Sequence, residues 1–289
     1  MEQKTQDSQP ETIITFPAIC DEITLVQFAA QANQLFQAIK QPCRSILIDI
    51  SNVDFAEPAF LVSLAALMQF VSQTFQSEKK FLRSRSRQVN NYMASIGFDQ
   101  IFLQEQYDLY KPIWAAHSGL RQFQSADNDT IANCAEVLTK SCGYSFTNLY
   151  SRIEETFAEL MANVSFHSES PVGGFVHMQY YPKVRRLRFS IADLGITIPK
   201  HLRRNPRIPE IWTDEHVLRA AAEIGVSGNP ARFSGAGLHY VIELTQRLGG
   251  VVRIYSGAAM LVQTGDSLRT STRIHPYPGT ILTIDWPTV

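Results

Sequence analysis

The stretch Glu159-Leu-Met-Ala-Asn163-Val-Ser-Phe-His167-Ser168 places an acid, an amide and an imidazole at four-residue intervals. Residues three to four apart share one face of a helix, so this spacing predicts a helix that carries all three side chains along one edge. Apolar residues beside that edge predict a buried face, and they are Ile153, Phe157, Leu160, Met161 and Val164. The stretch therefore predicts a polar ridge, formed by Glu159, Asn163 and His167, on a helix anchored in the core.

Three glycine-containing segments follow the ridge in chain order: Ile191-Ala-Asp193-Leu-Gly195, Ser234-Gly235-Ala236-Gly237-Leu238 and Gly279-Thr280. In the first, a carboxylate at a strand end is followed by a glycine that allows close approach of a ligand. In the second, small residues at a helix N-terminus leave N–H groups free to bind an anion. Neither a Walker P-loop nor a G-x-G-x-x-G motif occurs, which disfavours those two nucleotide folds. Taken singly, each segment is more typical of a turn or a helix cap, and the ridge is more typical of a solvated helix flank.

Taken together, the order and spacing of these segments resemble the GHKL, or Bergerat, ATP-binding domain. Histidine kinases, gyrases, heat-shock chaperones and anti-sigma-factor serine kinases share that domain. The resemblance spans about residues 130 to 289 and includes the ridge, both glycine boxes and the closing strand motif at Gly279-Thr280. It implies an α/β sandwich in which a mixed sheet is covered by helices.

The resemblance also implies a role for each matched position. Asn163 would hold Mg²⁺, Glu159 would be the general base, and Asp193 would accept a hydrogen bond from the adenine amino group. His167 would pack and orient the ridge, and residues 200–234 would form a lid over ATP. The remaining nucleotide contacts would come from Gly195, Gly235, Ala236, Gly237, Leu238 and Thr280.

One position departs from the family pattern. The first glycine box usually reads D-x-G-x-G, and Thr197 stands at its second glycine. Because a β-branched residue resists positive φ and adds bulk, we expect Thr197 to alter the lid hinge or to weaken nucleotide binding.

The N-terminal half predicts a small α/β domain from strands at about 46–50 and 81–86 and helices at about 58–77 and 90–98. Ile46 to Phe55 and Asn90 to Asp99 resemble a STAS, or anti-sigma-factor antagonist, domain. Its signalling members carry a phosphorylatable serine at the turn that reads Glu57-Pro58-Ala59-Phe60 here. Without that hydroxyl, the resemblance implies a docking or dimerisation module, and a generic α/β domain remains the alternative.

The predicted organisation is a disordered tail over 1–12, a STAS-like domain over 13–110 and a GHKL domain over 111–289. The fold class is therefore α/β throughout. Within the second domain we predict helices at about 131–141, 147–167 and 236–248, strands at about 174–181 and 186–192, and an irregular segment at 199–212. A hairpin turn is predicted at Ser256-Gly257.

Composition narrows the partners and the compartment. A formal net charge of -1 argues against a general polyanion binder, and Arg83, Arg85 and Arg87 are more typical of a solvated strand face than of a nucleic-acid groove. The four cysteines lack metal-finger spacing and fit a reducing cytosol. With no signal-peptide pattern and no apolar run long enough for a membrane span, we expect a cytoplasmic protein.

The expected function is that of an ATP-binding regulatory protein, either a Mg²⁺-dependent ATPase or an anti-sigma-type serine/threonine protein kinase. One alternative is a switch that binds nucleotide without turning it over. Another is a scaffold for a protein partner that binds no nucleotide. These hypotheses imply a protein partner or substrate, no membrane and no nucleic acid, and they leave a homodimer open.

Overall fold

The computed structural model describes residues 11–20, 25–39, 45–76, 78–102, 117–142, 150–223 and 237–288. The strands in these ranges are β1 (Glu11–Thr15), β2 (Ile19–Cys20), β3 (Ser45–Asp49), β4 (Phe55–Ala56), β5 (Glu78–Leu82), β6 (Arg121–Phe123), β7 (Gly174–Tyr181), β8 (Arg186–Asp193), β9 (Val251–Thr264) and β10 (Ser267–Pro287). The helices are α1 (Leu25–Ile39), α2 (Pro58–Thr74), α3 (Arg87–Ser95), α4 (Phe98–Phe102), α5 (Asn128–Cys142), α6 (Tyr150–His167), α7 (Ile198–Leu202), α8 (Asp214–Ala221) and α9 (Gly237–Arg247).

The predicted α/β fold class is confirmed, with one correction to the strand directions. β1, β3 and β5 form a parallel sheet in the order β1-β3-β5, and β2 and β4 add a short parallel pair. The C-terminal sheet has the order β6-β7-β8-β10-β9, and each of its four pairings is antiparallel. That sheet is therefore not the mixed sheet that was predicted. The chain passes directly from β7 to β8 and from β9 to β10, whereas two helices lie between β6 and β7 and three helices lie between β8 and β9. None of the neighbouring strands is parallel to the next, so no pairing of this sheet needs a parallel crossover connection.

Both faces of the five-stranded sheet are covered by helices. α5, α6 and α9 pack on one face, where Phe157, Phe189 and Trp286 form an aromatic cluster in the core. α1 and α2 pack on the opposite face, and the same two helices also cover the small parallel sheet. One continuous apolar core therefore includes residues from both halves of the chain.

α2 is the central element of that arrangement. Pro58 occupies the first turn, where its missing N–H costs no hydrogen bond. The helix is buried on nearly all sides because it lies between the two sheets. An all-round apolar helix is the expected sequence signature of such a position.

Most predicted elements of the C-terminal half are confirmed within two or three residues, and one turn is wrong. β9 runs without interruption through Ser256 and Gly257, and the chain reverses later, between Thr264 and Ser267. Gly257 has a φ of +60° and lies where the pairing register with β10 shifts. The positive φ of Gly257 therefore belongs to a β-bulge and not to a hairpin turn.

Three further predictions differ from the structure, and one of them falls partly on residues outside the described ranges. β1 begins at Glu11, inside the predicted tail 1–12, and residues 1–10 lie outside the described ranges. The strand predicted at 81–86 is β5, which is shifted toward the N-terminus. The segment predicted as irregular at 199–212 contains most of α7. Within the described ranges, no helix combines the length and apolar character needed to cross a membrane.

Candidate functional site

A cavity of about 130 Å³ lies against the face of the five-stranded sheet that α6 covers. Its floor is formed by β8 and β10, one side by α6, and the opposite side by α7 and the end of α8. The start of α9 closes the remaining side through Gly237 and Leu238. Most of the lining is apolar, and its polar side chains include those of Asn163, Asp193 and Thr280.

Asp193, the last residue of β8, is the buried acid of the cavity. Only 2% of it is exposed, and it faces Thr280 across the β8–β10 pairing. The Gly195 amide donates a hydrogen bond of 2.8 Å to its Oδ1 atom. Burial raises the pKa of Asp193 to about 7, although amide hydrogen bonds from Gly195 and Thr280 act in the opposite direction. Near neutral pH this carboxyl group is poised between accepting and donating a hydrogen bond.

Gly195 is required by the close approach of two backbone segments. A Cβ atom on this residue would lie 1.9 Å from the Ser168 carbonyl oxygen, just beyond the end of α6. The Ile196 amide donates to that same carbonyl oxygen. The first glycine box therefore joins the strand that carries Asp193 to the helix that carries the ridge.

Thr197 begins α7 and lies in extended backbone, with φ of −73° and ψ of 156°. Its hydroxyl accepts a hydrogen bond of 3.2 Å from the Lys200 amide, which makes it the N-cap of the helix. No positive φ is needed at this position, so the expected conformational conflict does not arise.

The buried hydroxyl of Ser256 contacts Thr280, which lies opposite Asp193 on β10. Ser256, in β9, lies 2.8 Å from the Thr280 hydroxyl and accepts a 2.8 Å hydrogen bond from the Ile198 amide. It thereby ties β9, β10 and the start of α7 together beneath the cavity. Sequence reasoning missed Ser256, since a single serine inside a strand carries no signal of its own.

The polar ridge is divided between two depressions. Asn163 and His167 line the cavity beside Asp193, as the helical spacing predicts. Glu159 lies one turn earlier and lines a separate groove of about 380 Å³ between α6 and α9. Gly237 borders both spaces, and a Cβ atom there would lie 2.5 Å from Glu159 Oε2.

The second glycine box is described only in part. Gly237 and Leu238 open α9 at the cavity, as predicted. Gly235 and Ala236 lie outside the described residues, as does the part of the predicted lid from residue 224 to 234. The earlier part of that lid, residues 200–223, contains the rest of α7 and all of α8, whose Val217 packs with Leu202 in a small core of their own.

His201 is a second residue that the sequence analysis missed. Its ring lies 4.6 Å, centroid to centroid, from that of His167, and both rings line the cavity. Burial lowers the pKa of His201, and the neighbouring His167 and Arg204 lower it further. The contact between the two imidazole rings therefore joins α7 to the end of α6.

Comparison of the chain with protein-family models gives no match, and comparison with curated proteins gives none either. The site is defined by its geometry: a buried acid on the sheet, an amide on the helix beside it, and a glycine at the start of α9 next to both.

Proposed function

We propose that this chain is an ATP-binding regulatory protein of the GHKL type, and that the cavity between β8, β10 and α6 receives the adenine ring. The observation that carries the proposal is the buried Asp193 carboxyl group on the floor of an otherwise mostly apolar cavity. Apolar walls with a few placed polar groups are typical of ligand sites. A carboxylate there accepts a hydrogen bond from an exocyclic amino group, and Thr280 lies directly opposite on β10.

The donor set fits Mg²⁺ bound mainly through the nucleotide. Asn163 offers one amide oxygen beside the cavity, and among the described residues no group of three or more acidic, histidine or cysteine side chains is placed to hold a metal ion. Magnesium in nucleotide sites commonly takes one or two protein ligands, with phosphates and water completing its octahedron. When bound, the ion would neutralise charge on the phosphates.

Glu159 is the residue we assign as the general base. It is exposed at the boundary between the cavity and the groove, one helical turn from Asn163. It would take the proton of a water molecule or a hydroxyl group as that oxygen attacks the γ-phosphorus of ATP. The bond from the γ-phosphorus to the bridging oxygen breaks, and ADP leaves with that oxygen.

A second function is favoured by one specific observation. Glu159 lines the groove and not the cavity, so its position also suits a protein that binds ATP as a switch without turning it over. In that case nucleotide occupancy would change the affinity for a protein partner through different affinities for two conformations. Either function is that of a cytoplasmic signalling protein, because ATP and Mg²⁺ are supplied in that compartment.

Calorimetry with ATP and Mg²⁺ tests the binding site. The wild type should bind ATP. Asp193→Asn should bind ATP about tenfold or more weakly, because the asparagine NH₂ group and the adenine amino group are both hydrogen-bond donors. Asp129→Asn, at an exposed position away from the cavity, is the matched control. An absence of binding heat in the wild type would refute the proposed function.

Turnover separates the two functions. Phosphate release and transfer are measured for the wild type and for Glu159→Ala, with ATP binding measured in the same samples. Catalysis is supported if turnover disappears in Glu159→Ala while ATP still binds. If neither protein turns ATP over and both bind it, the switch is the function.

A further inference from the structure

A buried polar cluster lies where α3 meets the five-stranded sheet, away from the cavity. Its four members are Tyr92 of α3, His117 and Gly119 from the segment before β6, and His177 of β7. His177 is fully buried, and its ring lies 6.0 Å from the Tyr92 ring and 6.1 Å from the His117 ring, centroid to centroid. We call these four residues the His177 cluster, and it joins the first half of the chain to the second.

Gly119 fixes the proton positions on both imidazole rings. Its carbonyl oxygen lies 2.9 Å from His177 Nδ1, and its amide donates a 3.1 Å hydrogen bond to His117 Nδ1. Because a carbonyl oxygen can only accept, His177 carries its proton on Nδ1. Because an amide N–H donates, His117 carries no proton on its own Nδ1 atom. The φ of +73° at Gly119 is open to glycine at little cost and allows one residue to contact both rings.

The tautomer of His177 decides the role of the Tyr92 hydroxyl. With the proton on Nδ1, the Nε2 atom of His177 holds a lone pair, and the Tyr92 hydroxyl donates a 2.8 Å hydrogen bond to it. This bond joins α3 to β7. A proton on Nε2 would place two hydrogens between the same two atoms, so the Tyr92 hydroxyl would have to turn away from the ring.

Among the described residues, no carboxylate contacts His177 to balance an imidazolium. Of the elements beside it, α2 has no ionisable side chain, α3 has the exposed Arg87 besides Tyr92, and β8 places Ser190 opposite His177. The segment before β6 contributes a second imidazole, that of His117. The remaining titratable or charged groups near the cluster are Tyr181, Glu57 and Arg188, of which the last two form an ion pair with each other. A cation on His177 is therefore disfavoured in the folded protein.

The direction of the pH effect follows from this burial. Burial lowers the pKa of His177 from its ordinary value of 6.5 to about 3, and burial also lowers the pKa of His117. A conformation that exposes His177 to water binds a proton near pH 6.5. The closed conformation is therefore favoured fully above about pH 6.5, and it loses this advantage as the pH falls from there toward 3.

α3 is the element that can open locally. Of its nine residues, only Val89 and Met93 are buried, whereas α2 is buried on nearly all sides. Elements with little buried apolar surface open at the lowest free energy. We propose that the contact between Tyr92 and His177 is an acid-sensitive latch, and that protonation of His177 releases α3 from the five-stranded sheet while the shared core stays folded. The latch acts at the junction of the two halves and does not require that the cavity bind nucleotide.

Hydrogen–deuterium exchange of the full chain at pH 7 and pH 5 tests the latch, with rates corrected for the intrinsic pH dependence of amide exchange. The amides of α3 should lose protection by about 25-fold between the two pH values, because His177 titrates near pH 6.5 in the open state and near pH 3 in the closed state. The amides of α2 exchange through global unfolding, in which titration of Asp193 acts in the opposite direction, so they should change much less. Equal protection of α3 at the two pH values would overturn the proposal.

His177→Asn is the variant that removes the titrating group. The asparagine NH₂ group can still donate to the Gly119 carbonyl oxygen, but it takes up no proton, so the loss of α3 protection at pH 5 should disappear. His275→Asn replaces an exposed histidine of β10 and is the matched control, which should respond to pH as the wild type does. A wild-type pH response in His177→Asn would overturn the assignment of the latch to His177.

Tyr92→Phe tests the same bond from α3 and leaves every imidazole in place, so the latch stays testable even if His177→Asn does not fold. The α3 amides of this variant should lose about fivefold protection at pH 7, as expected for the loss of one hydrogen bond. Their further loss at pH 5 should persist, because His177 still titrates. Unchanged protection of α3 at pH 7 would mean that the Tyr92 hydroxyl does not hold the helix, and the latch would be refuted.

Discussion

At the residue scale, titration of Asp193 should make both the unfolding free energy and the ATP affinity depend on pH. Its pKa is about 7 in the folded protein and near 4 for an unperturbed aspartate, so the folded state favours the protonated form. This stabilisation is complete below about pH 4 and is lost as the pH rises to about 7, and it amounts to at most roughly 4 kcal/mol. Burial of this one carboxyl group therefore sets the pH range over which the stability changes.

We predict that the unfolding free energy of the wild type falls more between pH 5 and pH 8 than that of Asp193→Asn, whose side chain does not titrate. Denaturant titrations of both proteins at the two pH values provide the measurement. ATP affinity should change in the opposite direction and increase toward pH 8, because the carboxylate is the form that accepts a hydrogen bond from adenine. Parallel pH dependence of the two proteins would contradict the assignment of the titration to Asp193.

The N-cap residue of α7, Thr197, gives a second prediction. Thr197→Gly should destabilise the protein by about 0.5–1 kcal/mol, since it removes an N-cap hydroxyl and adds backbone entropy in the unfolded chain. Thr197→Ser retains the hydroxyl and should be close to neutral. Thermal unfolding of the three proteins checks the order. A stabilised Thr197→Gly protein would mean that the extended conformation at this residue is strained.

At the element scale, two glycines of the site respond differently to alanine. In Gly195→Ala the new Cβ meets the backbone of Ser168, which cannot move without separating α6 from β8. In Gly237→Ala it meets the carboxylate end of Glu159, a flexible side chain that can rotate away. The contact with backbone is therefore the costly one.

We predict that Gly195→Ala destabilises the fold by about 3 kcal/mol or more, as overpacking of a fixed contact does. Gly237→Ala should change stability by less than about 1 kcal/mol, because alanine is the better helix former. It should instead reduce turnover, if there is turnover, by displacing Glu159. Chemical denaturation and phosphate release measured on both variants distinguish the two effects.

At the scale of the whole molecule, a partly buried ion pair joins the halves of the chain. Glu57, at the start of α2, pairs with Arg188 of β8, and Arg188 also pairs with Asp285 of β10 at 3.3 Å. Glu57 is 5% exposed. The turn that would carry the phosphorylated serine in a STAS signalling domain is therefore covered by the five-stranded sheet.

We predict that Glu57→Ala destabilises the protein by about 1–3 kcal/mol, because it leaves Arg188, whose side chain is 25% exposed, with only the Asp285 carboxylate as an ion-pair partner of those described here. Glu78→Ala, in a solvated pair with Lys80, is the control and should cost less than about 1 kcal/mol. Since one core joins both halves, we expect a single unfolding transition by circular dichroism and tryptophan fluorescence. Separate transitions for the two probes would contradict a shared core.

The elements that the sequence predicts best are those with a strong local pattern. β7, β8 and α6 lie where apolar runs and helical spacing place them, and Gly97 ends the helix region as expected, with a φ of +84°. The hairpin at Gly257 was wrong because positive φ is equally suited to a bulge and to a turn. Only pairing with β10 distinguishes the two, and the shift in that pairing comes from residues about twenty positions away.

The sequence by itself determined the polar ridge, the acid at the strand end and the glycines at their sides, since spacing along a helix or strand dictates which side chains share a face. Tertiary structure alone decided that Asn163 and Asp193 line one cavity while Glu159 lines the next groove. It also brought Ser256 and His201 to the site and buried α2 between two sheets. These outcomes depend on contacts between residues far apart in the chain, which no local pattern encodes.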